Sequence, residues 1–131
     1  MNRSRKNSVS VFVGSLAVLV IAAGVYLRSR VEVIRLSSPS GDHTVVVSER
    51  RFETFLPRAP GYGRGAPGFV EIFDRNGSSC GRIPVPMIQF TDDLEWTPTG
   101  AAIRLVGEWD FQRHSCYYWS EDQDRQIWVR R

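Results

Sequence analysis

The stretch FVEIFDRNG, residues 69–77, decides the fold class of this chain. FVEIF is a short apolar run of the kind that forms a β-strand. The DRNG that follows is a turn signal, because Asn76-Gly77 suits the positive φ angles of a tight hairpin. A strand that runs directly into a tight turn predicts an antiparallel β-hairpin at the centre of the chain.

Other short strand candidates lie on both sides of this hairpin. Turn clusters SSPSGD (37–42) and TPTG (97–100) separate some of them. The candidates are Val31–Leu36, His43–Arg51, Arg82–Phe90, Ala101–Val106, Tyr117–Trp119 and Gln126–Arg130. Pro84 and Pro86 cannot donate to a hydrogen-bond ladder, so their segment is predicted to be an edge strand or an irregular crossing. No helical period is sustained after residue 30. The pattern predicts an all-β domain built as a small antiparallel sheet, a sandwich or a barrel-like fold.

The N-terminal segment has a different character. Val9–Leu27 is a run of nineteen residues without a charge, and a helix of that length covers roughly the 30 Å hydrocarbon core of a bilayer. Basic residues flank the run on both sides. We therefore predict that residues 1–30 are a short basic tail and a transmembrane signal anchor, and that residues 31–131 are the β domain. The alternative is a cleavable signal peptide, because Ala22, Ala23 and Gly24 offer a small-residue cleavage site.

The predicted anchor also sets the expected location. A short N-terminal tail before a first apolar helix usually stays in the cytoplasm. One lysine against sixteen arginines fits a GC-rich bacterial genome. We expect a single-pass protein of the bacterial inner membrane, held there by residues 9–27, with its β domain facing the periplasm or the outside.

The charge distribution excludes an obvious nucleic-acid-binding face. Residues 1–30 hold five basic groups and no acids, whereas residues 31–131 hold twelve basic against fourteen acidic groups. The basic character therefore belongs to the flanks of the predicted anchor. Nucleic-acid binding needs a concentrated basic surface, so no nucleic-acid partner is expected.

The glycine- and proline-rich stretch PRAPGYGRGAPG, residues 57–68, is not a phosphate-binding loop. It lacks the Gly-Lys-Ser/Thr of a P-loop and leads into a strand instead of a helix. We interpret it as a long connection between two strands. Long loops often bind something, and Arg58, Tyr62 and Arg64 are the predicted contact surface.

The two cysteines, Cys80 and Cys116, both lie in the β domain near predicted strands. An oxidising compartment permits a disulfide between them, and a small domain gains stability from one. The alternative is a pair of buried thiols, which behave as small apolar groups.

Catalytic and metal-ligating residues are few. A structural zinc site needs four ligands. Both histidines, His43 and His114, would therefore have to lie at one site with both cysteines. If residues 114–116 form a strand, His114 and Cys116 share one face. Asp92, Asp93 and Glu95 are interpreted as a solvated turn. No catalytic, cofactor or metal site is predicted.

Four tryptophans lie in the second half of the domain: Trp96, Trp109, Trp119 and Trp128. Large side chains bury much area per residue, which a small domain needs. We interpret them as core residues, and a carbohydrate-stacking face is the alternative.

Two stretches, LSSPSGDHTVVV (36–47) and EWTPTGAAIRLV (95–106), share a Pro-x-Gly turn that feeds a β-branched strand. This unit resembles the hairpin of TolB-type and WD-like propeller blades, although the domain is too short for a propeller. The layout of the chain is also similar to that of a group of small bacterial single-pass membrane proteins. The features that carry this resemblance are Ser38–Gly41, Ala59–Gly68, Asp74–Gly77 and Trp96. The resemblance implies no activity.

The sequence therefore predicts a binding protein rather than an enzyme. The leading hypothesis is a membrane-anchored envelope interaction module that binds another protein. The alternatives are a domain that binds cell-wall carbohydrate through its tryptophans, and an unrecognised hydrolase.

Overall fold

A computed structural model describes residues 3–57, 60, 65–120 and 125–130, with side chains for residues 13–57, 60 and 65–118. One long helix precedes the sheets, and a single helical turn follows the second strand. The helices are α1 (Arg3–Arg28) and α2 (Arg51–Thr54). The strands are β1 (Arg30–Ser37), β2 (His43–Arg50), β3 (Gly68–Asp74), β4 (Ser79–Val85), β5 (Leu94–Thr97), β6 (Gly100–Ile103), β7 (Gly107–Asp110), β8 (Ser115–Ser120) and β9 (Arg125–Arg130).

The strands form two separate antiparallel sheets, so the all-β prediction is confirmed. The first sheet has the order β1-β2-β3-β4 and the second has the order β5-β6-β7-β8-β9. In both sheets every strand pairs with its neighbour along the chain. Of the three predicted architectures, the chain adopts the sandwich, in which two sheets pack together. The two sheets do not join into a closed barrel.

The predicted central hairpin is present. Gly77 adopts a φ of 79° in the turn between β3 and β4. The Asp74 carboxylate accepts hydrogen bonds from the backbone N–H groups of Asn76 and Ser78. The carboxylate thus takes the place of a backbone acceptor for these two N–H groups in the turn. As predicted for the proline-containing segment, β4 lies at the edge of its sheet.

A β-bulge in β4 sets the direction of the inward side chains. Ile72 pairs with Gly81 whereas Phe73 pairs with Ser79, so Cys80 is an extra residue in β4. Gly81 has a φ of 122°, which a residue with a side chain rarely adopts. Because the bulge changes the alternation, Cys80 and Ile83 both point into the core.

The core lies between the two sheets. β4 packs against β7 and β8, and the indole N–H of Trp109 donates a 2.9 Å hydrogen bond to the carbonyl of Gly81. This bond joins the second sheet to the bulge of the first. The buried apolar residues are Val45, Val47, Val70, Ile72, Cys80, Ile83, Val85, Ile88, Ala101, Ile103, Val106, Trp109 and Cys116.

Several local predictions were wrong. The strand predicted over Ala101–Val106 ends at Ile103, and a turn leads into β7, which the sequence did not indicate. A 3₁₀ helix, Ile88–Asp93, occupies the end of the predicted strand Arg82–Phe90. His114 lies in a turn with a φ of 47°. It therefore does not share a strand face with Cys116.

The helix α1 is joined to the sheets at its end. Arg51, in α2, donates from its side chain to the Ser29 hydroxyl at 2.8 Å and to the Tyr26 hydroxyl at 3.2 Å. Its guanidinium carbon lies 4.5 Å from the centroid of the Tyr26 ring. Among the described residues, no helix combines the length and the apolar character of a membrane span, so the predicted anchor is not confirmed.

The predicted disulfide is absent from the structure: Cys80 and Cys116 are both buried and are not joined to each other. The Cys116 sulfur lies 3.8 Å from the carbonyl oxygen of Arg82. A Cβ added at Gly81 would lie only 2.5 Å from that sulfur. Cys116 therefore packs on the backbone of the bulge as a small apolar group.

The ionisation of Cys116 makes the fold sensitive to alkaline pH. Burial raises the pKa of this thiol from its ordinary value of about 9 to about 11. The unfolded chain therefore loses the proton first, and the free energy of unfolding is expected to fall as pH rises from about 9 to 11, by about 2 to 3 kcal/mol. Urea unfolding over this pH range, compared with Cys116→Ala, measures the effect. Parallel pH curves for the two proteins would contradict it.

Candidate functional site

The predicted contact loop lies outside the described residues, because Arg58, Tyr62 and Arg64 fall within 58–59 and 61–64. Its last part is fixed: the carbonyl of Ala66 accepts a 2.9 Å hydrogen bond from the N–H of Ile88, and Gly68 is buried in β3. Within the described part of the chain, no group of three histidines, cysteines or carboxylates lies close enough to hold a metal ion.

A surface cavity is lined by the hairpin between β6 and β7. We call it the hairpin recess; its volume is about 530 Å³, within the usual range of ligand pockets. Ala102 and Tyr117 lie in its wall, and Arg104 and Glu108 add charge. The lining residues are Ala102, Ile103, Arg104, Leu105, Val106, Gly107, Glu108 and Tyr117.

Leu105, at the tip of this hairpin, is unfavourably placed in two respects. Its side chain is 92 % exposed, and its φ is 62°. The N–H of Val106 donates to the carbonyl of Ile103 at 3.0 Å, so Leu105 is the third residue of a four-residue turn. Where that position has a positive φ, glycine is the usual residue. A leucine there exposes apolar surface and strains the backbone.

Tyr117 and Glu108 form the polar side of the hairpin recess. They are cross-strand partners on β8 and β7. Burial raises the pKa of Tyr117, and the neighbouring Glu108 raises it further. The phenol therefore stays protonated at neutral pH and is a hydrogen-bond donor beside a carboxylate.

A second cavity lies where three turns meet. We call it the turn cleft; its volume is about 320 Å³. The two Pro-x-Gly turns noted in the sequence occupy the same position in the two sheets, since one joins β1 to β2 and the other joins β5 to β6. The third turn joins β7 to β8. The lining residues are Ser38, Pro39, Ser40, Asp42, His43, Trp96, Thr97, Pro98 and Phe111.

Three aromatic rings line the turn cleft. The imidazole of His43 stacks on the ring of Phe111, with centroids 4.0 Å apart and an angle of 14° between the planes. Trp96 lies 6.4 Å from each of these rings in a tilted orientation. The N–H of Phe111 donates to the carbonyl of Thr99 at 2.9 Å. This bond fixes the third turn against the second.

No family model, curated protein or solved structure matches the chain. The candidate sites are therefore judged by their own geometry.

The tryptophans divide into different roles. Trp109 is 3 % exposed and belongs to the core, as interpreted from the sequence. Trp96 is half-buried and lines the turn cleft. The side chains of Trp119 and Trp128 lie outside the described ones. The predicted stacking face therefore does not include Trp109.

Sequence reasoning missed Leu105 and Phe111. The sequence pattern places Leu105 inside the predicted strand Ala101–Val106, whereas its exposure and its positive φ distinguish it in the structure. Phe111 follows a strand that the sequence did not predict. The signal that was available, the repeated Pro-x-Gly turn, did indicate two of the three turns that form the cleft.

Proposed function

We propose that the chain is a membrane-anchored envelope module that binds another protein through the hairpin recess. The observation that supports this is Leu105, an apolar side chain held in the open at a positive φ. Both properties destabilise the isolated domain, and contact with a partner compensates for the exposed surface. Strained, exposed positions of this kind are concentrated at binding sites.

The membrane anchor in this proposal rests on α1. Its large apolar side chains from Val13 to Leu27 are between 41 and 67 % exposed, and residues 9–27 carry no charge. A bilayer would cover this surface. The β domain then lies on the outer side of the inner membrane, where its partner is another envelope protein.

The recess suggests the chemistry of the partner's surface. Leu105 is an apolar anchor that can insert into a pocket on the partner, as the central residues of protein interfaces do. Ala102 and the ring of Tyr117 accept an apolar side chain in return, while the Tyr117 hydroxyl is hydrogen-bonded to Glu108. Arg104 and Glu108 lie at the edge, where charges fix orientation and exclude wrong partners. The matching surface is an apolar patch with a mixed-charge rim.

Site-specific photo-crosslinking in intact cells tests both parts of this proposal. A photo-reactive residue at Arg104 is expected to capture one protein, and the same residue at Asn76, on the exposed hairpin between β3 and β4, is not. In the background of Leu105→Gly the amount of adduct should fall at least tenfold. Losing a central anchor costs about 1.4 kcal/mol or more of binding free energy, which is a tenfold loss of affinity. The adduct should stay with membranes after a carbonate wash.

The Leu105→Gly variant also controls for misfolding. Glycine tolerates the positive φ. The free energy of unfolding of the variant is therefore expected to equal that of the parent or to exceed it by up to about 1 kcal/mol. Capture at Asn76 as strong as at Arg104, or an adduct that Leu105→Gly does not weaken, would refute the docking site. An adduct released by the carbonate wash would refute the anchor alone.

A further inference from the structure

We infer that the turn cleft binds a neutral sugar ring, at a site distinct from the hairpin recess. The cleft contains both elements that sugar recognition requires: an aromatic wall for the apolar face of the ring, and paired hydroxyl and carboxylate groups for its polar edge. This inference does not depend on the protein-binding function proposed above.

The aromatic wall is preorganised. The stack of His43 on Phe111 and the tilt of Trp96 hold three rings in place before any ligand arrives. Trp96 and Phe111 also pack against the core, which restricts their rotation. A rigid aromatic surface costs little conformational entropy on binding.

The hydroxyl pair of Ser38 and Ser40 supplies a donor. Their oxygens are 3.1 Å apart. The Ser38 oxygen accepts from the N–H of His43 at 3.1 Å, and the Ser40 oxygen accepts from the N–H of Asp42 at 3.4 Å. One serine proton is used between the two oxygens. Among the described residues, the other proton is donated to no protein acceptor, so it is available to a ligand.

Asp42 supplies the acceptor and also indicates the charge of the ligand. Its carboxylate forms an ion pair with Arg75, so the acidic charge at the cleft is balanced. An unbalanced carboxylate beside three aromatic rings would favour a cation such as a quaternary ammonium group. With Arg75 in place, the cleft favours a neutral molecule that carries both donors and acceptors, which describes a sugar.

The size of the cleft limits the ligand. A volume of about 320 Å³ is near the lower end of the range for small-molecule sites. One ring fits, and the rest of a longer chain would extend into solvent past the exposed Thr97 and Pro98. The structure therefore points to a terminal or side-chain sugar unit of a larger glycan.

Titration calorimetry on the full chain tests this site. The detergent should be a polyoxyethylene ether, because maltoside and zwitterionic headgroups resemble the probes. The probes are glucose, galactose, mannose, N-acetylglucosamine and, as the cationic alternative, tetramethylammonium. One neutral sugar is expected to bind with a Kd between about 0.1 and 10 mM. Absence of sugar binding up to about 10 mM, or binding of tetramethylammonium in its place, would overturn the inference.

Two variants locate the binding in the cleft. Ser40→Ala removes a hydroxyl at an exposed position and should weaken the sugar about three- to tenfold, the effect of one hydrogen bond. Trp96→Leu should abolish binding, with a thermal melt to check its fold. Leu105→Gly should bind the sugar like the parent, and Ser40→Ala should keep the crosslink at Arg104. Equal sugar affinity in Ser40→Ala and the parent would place the ligand elsewhere and overturn the inference.

Discussion

Replacing Trp109 by alanine is expected to lower the melting temperature of the domain by roughly 15 to 30 °C, because the change removes about 3 to 5 kcal/mol of stability. Trp109 is 3 % exposed and packs where β7 and β8 meet β4. Its indole also donates to the carbonyl of Gly81. Alanine leaves a cavity between the sheets and removes the indole donor to the carbonyl at the bulge.

Thermal and urea unfolding of the full chain in detergent measures this loss. Trp109→Phe separates the two contributions, since phenylalanine keeps most of the apolar contact but has no N–H. We expect it to cost about 1 to 2 kcal/mol. If Trp109→Ala unfolded within a few degrees of the parent, the two sheets would not depend on this contact.

Replacing Gly100 by alanine is expected to have a comparable effect. A Cβ at this position would lie 1.9 Å from the carbonyl oxygen of Trp109 and 3.0 Å from its carbonyl carbon. Both atoms belong to the backbone of the paired strand β7, so no side-chain rotation relieves the clash. The pairing of β6 with β7 must open, and we expect a loss of about 3 kcal/mol or more, at the upper end of the range for overpacking.

Gly41→Ala is the matched control for that change. Gly41 has a φ of 73°, and nothing lies within 4 Å of the position that a Cβ would take. The substitution therefore strains only the backbone, by about 1 to 2 kcal/mol. Gly100 itself has no positive φ, so its cost comes from the contact with β7. Equal melting temperatures for the two variants would show that this contact costs no more than the backbone strain at Gly41.

The sequence predicted most of the first sheet because its strands are long and clearly punctuated. β3 alternates buried and half-buried residues and ends at the Asn-Gly turn. β2 carries three valines in a row, of which Val45 and Val47 are buried. Residues of high β-propensity between turn residues are a local signal, so no knowledge of distant contacts was needed.

The second sheet was harder to predict for a physical reason. β5, β6 and β7 have only four residues each, and β6 is GAAI. Glycine and alanine have low β-propensity, but Gly100 is required because β7 passes so close to it. The determinant of this strand is a tertiary contact that local patterns do not reveal.

The candidate sites were hidden for related reasons. The turn cleft joins His43, Trp96 and Phe111, which lie far apart in the sequence. The pairing of β5, β6 and β7 brings Trp96 near Phe111, and the packing of the first sheet on the second adds His43. The hairpin recess depends on the backbone angle of Leu105, and a sequence pattern assigns leucine to a strand interior before it assigns it to a turn.

The pairing of every strand with its chain neighbour has a consequence for synthesis. The first sheet is complete once residue 85 has left the ribosome, whereas the strands that cover its inner face end at residue 130. At about 5 to 20 residues per second the second sheet follows only after roughly 2 to 9 s, and hairpins form within microseconds. For that interval Val45, Ile72 and Ile83 face the surroundings without cover. The nascent chain is then most exposed to aggregation and to capture by chaperones.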